Sequence, residues 1–284
     1  MLLALIILVA SSSNIGMGQS AQKNFSDTIS TCSSVDHLFI FINMHNEDKF
    51  NFKNFSGRQR VEISINFNVT FKEDIFCLLN NKLQDLYIYS SVQVNMDTNV
   101  LNFNCLQNLK KLTLNGMKMS STKLMMTDCT QLQQVDISIN QFPTFKLSIF
   151  KKMKELRSLH LSANEIQFFE GDFSGLLKLQ FLNLASNKIS FLPSSLLNTL
   201  SSPDLQQIFI RDNRFFGLDS LNFYEIGQHA NNFGIFINTG SSKLLDCACN
   251  ERVTYKIDEV IYLMGKCKDL RYIRDAIRDC LVQL

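Results

Sequence analysis

The chain has 284 residues, 45% of them hydrophobic, enough to bury a large core, which excludes a mainly disordered protein. Lys and Arg number 28 and Asp and Glu 26, and a net charge of +2 lacks the basic footprint of a nucleic-acid binder. Leu at 38, Asn at 27 and Phe at 24 are all abundant while Trp is absent, a bias that directs the search toward internal repeats.

The chain opens on an unbroken apolar run from Leu2 to Ala10, followed by small and polar residues ending in Gly16-Met17-Gly18. That pattern predicts a signal peptide over residues 1–18, leaving residues 19–34 as an N-terminal flank. No later apolar run approaches the ~20 residues needed to cross a bilayer. The expectation is a secreted, extracellular chain with no transmembrane segment after the signal peptide. Sequons at Asn24, Asn54 and Asn68 agree, and would place bulky solvated glycans near this end.

From Val35 onward a motif recurs. Its clearest copies are Leu156-x-x-Leu159-x-Leu161-x-x-Asn164 and Leu179-x-x-Leu182-x-Leu184-x-x-Asn187. In chain order the copies begin with Val35, Leu38, Ile40, Asn43, then Arg58, Val61, Ile63, Asn66. Next come Leu83, Leu86, Ile88 with Ser91 in the Asn slot, and Leu109, Leu112, Leu114 with Met117 there. Leu132, Val135, Ile137, Asn140 precede the two clear copies; Leu205, Ile208, Ile210, Asn213 and a degenerate Ala230, Phe233, Ile235, Asn238 follow them. Nine copies at a spacing of 23 to 26 residues, seven with Asn in the last slot, are hard to produce by chance even in a Leu-rich chain.

The x-Leu-x-Leu-x core alternates with period two, as a short strand does. Strands from successive turns stack in parallel at ~4.8 Å, and the Leu side chains fill the space between turns. Asn supplies donors and an acceptor for backbone groups where the chain leaves each strand. No repeat buries its own face, so stability comes from its neighbours. This pattern resembles the leucine-rich-repeat family over residues 35–240. The resemblance implies an α/β solenoid, a horseshoe with a parallel β-sheet on the concave face and short helical or irregular segments on the convex side. Phe150 and Phe173 then match convex core positions, and Ile166, Phe169, Ile189 and Leu192 fill slots after the Asn.

Residues 241–284 carry Cys247-Ala248-Cys249, Cys267 and Cys280, an order similar to the C-terminal cap of extracellular leucine-rich-repeat proteins. The resemblance implies a disulfide-bonded cap with bridges Cys247–Cys267 and Cys249–Cys280. A zinc site is the competing use of four cysteines; Cys-x-Cys spacing and an oxidising compartment favour disulfides. Ile257, Val260, Ile261 and Met264, then Leu270, Ile273, Ile277, Cys280 and Leu284, recur at helical spacing. They predict two cap helices, or a seam through which two copies dimerise. Upstream, Cys105 and Cys129 precede adjacent repeats by similar distances, and neighbouring turns lie within disulfide reach. That predicts Cys105–Cys129 and leaves Cys32–Cys77 by elimination.

On the concave face the x positions would point outward. The middle column reads Phe39, Glu62, Tyr87, Thr113, Asp136, His160, Asn183, Phe209; the columns beside it include Tyr89, Lys111, Phe181 and Arg211. Exposed aromatics beside charges have the composition of binding surfaces. Tyr87, Tyr89, Lys111, Asp136, His160, Phe181, Phe209 and Arg211 are therefore the candidate ligand-binding residues. For Tyr87 and Tyr89, cross-strand stacking that stabilises the sheet without any partner is an equal reading.

His37, His45, His160 and His229 are scattered through the repeat, with no activated nucleophile, phosphate loop or His-x-x-x-His pair. No enzyme activity, cofactor or metal is expected. The overall layout resembles Toll-type receptor ectodomains and the soluble leucine-rich-repeat immune proteins of insects. The resemblance implies a secreted binding protein of extracellular innate immunity whose concave face holds a protein or a microbial surface molecule. A matrix or adhesion protein and the ectodomain fragment of a longer receptor are the alternatives.

Overall fold

The computed structural model describes residues 28–33, 36–43, 57–66, 71, 73–79, 82–96, 100–119, 121–190, 204–205, 207–214, 235–245 and 261–267. The main sheet has eleven strands. They are β1 (Thr28–Ser33), β2 (His37–Asn43), β3 (Arg60–Ile65), β4 (Asp85–Asn95), β6 (Lys111–Lys118) and β8 (Gln134–Asp136). Then come β10 (Ser158–His160), β12 (Phe181–Asn183), β13 (Gln207–Phe209), β14 (Ile235–Leu245) and β15 (Ile261–Cys267). They lie side by side in chain order, each parallel pair joined by a crossover along the convex side. β1 pairs antiparallel with β2, Cys32 opposite Phe39, and the pairs from β2 to β15 are parallel. This is a leucine-rich-repeat β-solenoid.

Register follows the repeat. Leu38, Val61, Leu86, Leu112, Val135, Leu159, Leu182 and Ile208 are successive Cα partners. All eight are buried, together with the residues two positions on, from Ile40 to Ile210. The ninth copy is displaced: Ile208 pairs with Ile237, not with Phe233. A pattern of period two does not distinguish shifts by an even number of residues, so alternation alone misplaced it.

The Asn slot explains where strands stop. Asn164 Nδ2 donates to the carbonyls of Ile137 (2.9 Å), Leu161 (3.0 Å) and Ser162 (3.3 Å). Its Oδ1 accepts from the Asn140 and Phe142 amides at 2.9 and 3.4 Å. Asn140, Asn187 and Asn213 repeat the arrangement, all buried. Each ladder Asn ties its own turn to the one before and so satisfies groups that a buried bend would orphan. Where the slot holds Ser91 and Met117, the strands run on instead, pairing Val94 with Met117 and Asn95 with Lys118. Between Tyr89–Asn115 and Val94–Met117 the register shifts, and residues 90–93 of β4 bulge opposite Gly116.

The residue before the Asn slot turns the chain. Gly116, Ile139, Ala163, Ser186 and Asp212 occupy this place in five consecutive repeats, all at positive φ between 52° and 75°. Gly116 has a further reason to be glycine, because a Cβ there would lie 2.0 Å from the Ser90 carbonyl oxygen. Amide bonds run along this row, Gly116 N–H to Ile139 O and Ile139 N–H to Ser162 O, both 3.1 Å.

The convex side holds short 3-10 turns at Ile75–Leu79, Ser121–Lys123 and Leu147–Phe150. Two small parallel sheets join them, β5 (Leu101–Asn102) with β7 (Leu124–Met125) and β9 (Thr144–Lys146) with β11 (Phe168–Glu170). Phenylalanine fills the space between these and the main sheet. Phe76 stacks on Phe103 at 5.0 Å and Phe145 on Phe150 at 5.8 Å, and Phe142 and Phe173 are also buried. Among the described residues, Phe71, Phe76, Phe103, Phe142, Phe145, Phe150 and Phe173 are therefore core.

Three expectations need correction. The first cap helix is not formed: Ile261 and Met264 lie in β15, paired parallel to β14, and no α-helix occurs among the described residues. An apolar run such as Ile261-Tyr262-Leu263-Met264 fits both periods, and an open strand edge with unpaired amides settles the choice. A dimer through C-terminal helices loses its basis, and the α/β assignment becomes all-β plus 3-10 turns among these residues.

The second and third corrections are the upstream disulfides. Cys77 pairs with Cys105, Cα atoms 5.4 Å apart, so neither Cys105–Cys129 nor Cys32–Cys77 forms. Cys77, in the 3-10 turn, is also a neighbour of Cys105, from the preceding repeat, whereas Cys129 is turned into the core. Its thiol donates to Phe103 O at 3.0 Å and remains free. Cys247, Cys249, Cys280 and the sequons at Asn24, Asn54 and Asn68 lie outside the described residues, as does the side chain of Cys267.

Candidate functional site

The open face of the sheet is built by the strand positions that alternate with the buried Leu and Ile. Two groups of aromatic side chains stand on it, separated by a polar middle.

The first group spans β2, β3 and β4. His37 and Phe39 rings lie 5.4 Å apart, and Phe39 stacks on Phe41 at 5.8 Å. Glu62 receives His37 Nε2 at 3.0 Å and Arg60 Nη2 at 2.7 Å. The Arg60 guanidinium also sits 4.6 Å from the centre of the Tyr87 ring. One cation thus joins a carboxylate and an aromatic face, an arrangement worth about 0.5–1 kcal/mol for the ring contact at a partly exposed site. Tyr87 and Tyr89 are half-buried. Burial, then the charge of Asp85 for Tyr87 and of Glu62 for Tyr89, raises both phenol pKa values, so both hydroxyls keep their protons as hydrogen-bond donors.

The second group spans β10, β12 and β13. His160 stacks on Phe181 at 4.7 Å and Phe181 lies 5.1 Å from Phe209, all three half-exposed. His160 Nε2 meets Ser158 Oγ at 3.0 Å. Burial lowers the His160 pKa and the nearby Asp136 charge opposes that shift.

Between the groups, Asp136 accepts from the Ser138 hydroxyl and from the Ser138 amide at 3.0 Å. The Asn115 amide, with its nitrogen toward the acceptors, donates to Asp136 Oδ1 at 3.2 Å, Ser138 O at 3.2 Å and Leu114 O at 2.9 Å. Lys111, on β6, is in register with Asp85 and Gln134. Arg211 follows β13 and approaches Asp212 at 3.9 Å.

The eight candidate residues therefore share one face but form no single cluster. His160, Phe181 and Phe209 come together, and Asp136 neighbours His160 across adjacent strands. Tyr87 and Tyr89 belong to the other group, while Lys111 and Arg211 stand apart. Sequence reasoning omitted His37, Arg60 and Glu62 from the site, though they tie the first group together. Glu62 shares the column of Tyr87, and His37 and Arg60 share the column of Lys111, which was the signal available. Among the described residues no set of His, Cys, Asp and Glu could hold a metal ion.

The repeat register and Asn ladder point to one fold, and comparisons with known proteins agree. The leucine-rich-repeat family model matches residues 130–189. The fold is a leucine-rich-repeat solenoid. Toll-like receptor 4 of Sus scrofa is 28% identical over 160 residues, which cover 51% of this chain and 18% of that protein. The chain thus spans under a fifth of that relative's length. A leucine-rich-repeat protein of Leptospira interrogans superposes with a TM-score of 0.52 at 17% identity, over 84% of this chain and 64% of the other. Toll in the Toll–Spatzle complex of Drosophila gives 0.53 at 16% identity, over 82% of this chain and 34% of that one. Identities this low concern the fold alone. Among the described residues no helix is long and apolar enough to cross a membrane.

Proposed function

We propose that this chain is an extracellular recognition protein whose open, concave sheet face binds a protein or a microbial surface molecule in innate immunity. The observation that carries the reading is the pair of aromatic groups left half-exposed on an otherwise polar sheet. Cross-strand stacking accounts for the covered part of each ring and leaves the outward part without a role in the sheet. Here Tyr87, Tyr89, His160, Phe181 and Phe209 keep part of each ring toward solvent. Rigid rings with polar edges bind with little loss of rotamer entropy, and they dominate hot spots in interfaces. Lys111, Asp136 and Arg211 add charge of both signs around them, which would select partner and orientation more than raise affinity.

The extracellular setting rests on the apolar N-terminal run, the sequons at Asn24, Asn54 and Asn68, and the Cys77–Cys105 disulfide. Cleavage near Gly18 and a cap bridged by Cys247–Cys267 and Cys249–Cys280 belong to the same reading. N-terminal sequencing and peptide mapping of the secreted chain read both directly.

The test of the binding face is affinity capture from the extracellular fluid of the source. The wild-type chain is one bait; the other carries Tyr87→Ala, Tyr89→Ala and His160→Ala and is checked for a native circular dichroism spectrum. A partner held by the wild type and lost by the variant supports the reading. A partner held equally by both places binding on another surface and refutes it.

A further inference from the structure

We propose that a second surface, the rim where the strands end, docks an acidic peptide segment of a partner protein that carries a large apolar side chain. The rim runs from the β4 bulge to Arg214 and is separate from the aromatic groups of the open face.

The first observation is apolar exposure. Four large hydrophobic side chains are exposed among the described residues, and two are here, Val92 at 58% and Ile139 at 44%. Val92 is in the bulge whose Ser90 carbonyl closes over Gly116, and Gly116 N–H in turn bonds Ile139 O. The chain therefore places both residues around the same glycine. The other two, Phe168 and Leu177, lie in the convex strand β11 and in the turn before β12.

The second observation is strain. Ile139 holds φ at 63°, a conformation that β-branched residues rarely adopt. The equivalent residues in neighbouring repeats are Gly116, Ala163, Ser186 and Asp212, all easier to place there. Nothing in the fold needs an isoleucine at an exposed turn. A strained residue whose side chain points to water suggests a use for that side chain.

The third observation is charge. The position after the Asn slot reads Lys118, Gln141, Glu165, Lys188 and Arg214 through five repeats. Lys188 Nζ bonds Glu165 Oε2 at 2.6 Å. Lys188 holds this carboxyl below its ordinary range, and the charges of Lys118 and Arg214 add weakly to that pull. With Asp212 the rim counts three cations and two anions, 3 − 2 = +1. A basic row flanking an exposed apolar pair is complementary to an acidic segment with an apolar anchor.

The test is selection of a displayed library of random twelve-residue peptides on the full secreted chain. The expected winners place Asp and Glu around a Phe, Leu, Ile or Met. Affinity for a winning peptide should fall at least about tenfold in Lys118→Glu/Lys188→Glu/Arg214→Glu, and weaken with added salt. Ile139→Gly should lose a similar factor while relieving the strained φ, so misfolding does not account for its loss. The Tyr87→Ala/Tyr89→Ala/His160→Ala variant should bind within about twofold of wild type, which separates this surface from the open face. Winners that are neutral or basic, affinities indifferent to the rim variants, or retention of a sulfated oligosaccharide in place of any peptide would each overturn the proposal.

Discussion

Replacing Asn164 by Ala tests whether the buried amide ladder carries stability through hydrogen bonds or merely fills space. The side chain makes five contacts to backbone, but not all the partners depend on it. Leu161 O keeps the Asn187 amide at 2.9 Å, and Ser162 O keeps the Ile139 N–H at 3.1 Å. Ile137 O and the Asn140 N–H lose the bonds that Asn164 supplied, and the Phe142 N–H loses a long one. At ~1–3 kcal/mol per buried orphan, the loss is about 4 kcal/mol. Asn187→Ala is the internal control, because the two side chains have the same size and similar burial. There Leu161 O keeps Asn164, Leu184 O keeps Asn213, and Ala185 O keeps the Ala163 N–H. Only the Ile166 N–H is orphaned, so the loss is about 2 kcal/mol. Urea unfolding followed by circular dichroism gives both numbers, and hydrogen exchange at the Asn140 and Ile166 amides locates them. Equal losses in the two variants, or a larger one for Asn187, would refute the accounting by orphaned groups.

Four further outcomes follow from local features. Cys77→Ser/Cys105→Ser opens a loop of sequence separation 28 and should lower stability by about 3–4 kcal/mol on the chain-entropy scale, read by the same unfolding assay. Cys129, its thiol pushed up to about 12 by burial and by Asp128, should resist alkylation in the native state and react in denaturant. Burial holds the His160 pKa below its ordinary 6.5, so the unfolded chain takes up this proton first. The group's contribution to stability is full above that pH and declines as pH falls through it, and His160→Gln should flatten the unfolding midpoint between pH 7 and 5. Gly116→Ala, which meets the Ser90 carbonyl, should cost about 2 kcal/mol or more, whereas Gly57→Ala, at φ 93° with nothing within 4 Å, should cost about 1 kcal/mol from backbone strain alone. Paired thermal melts compare them.

The scaffold was legible because it repeats. Eight of the Leu-slot residues, from Leu38 to Ile208, stand in the expected register, since a buried strand face and a buried Asn leave few alternatives per turn. Reading failed where local pattern was the only guide. Ile237 displaced Phe233, and β15 displaced a helix, at positions where a period of two or a short apolar run admits more than one answer. Cysteine pairing failed for a related reason. Cys105 has a neighbour in the repeat on either side, and which one it meets depends on how each convex turn is wound, which strand periodicity does not record.

The open face was legible as a list and not as a site. Columns drawn from the repeat placed Tyr87, His160 and Phe209 on one surface, but which side chains meet depends on diagonal contacts across strands. His160 reaches Phe181 diagonally, and Arg60 bends back to Glu62 and across to Tyr87. The rim was less legible still, because nothing in the sequence marks the residue before Asn as a forced left-handed turn. Once φ is known, the row Gly116, Ile139, Ala163, Ser186, Asp212 reads as one structural demand met five ways. Four of the five choices are small or polar and satisfy the turn at little strain. The remaining one, Ile139, is bulky, exposed and disfavoured by the backbone. A repeat protein thus offers its own control: the other turns show what the scaffold requires, and the residue that departs from them is the one whose reason must lie outside the scaffold.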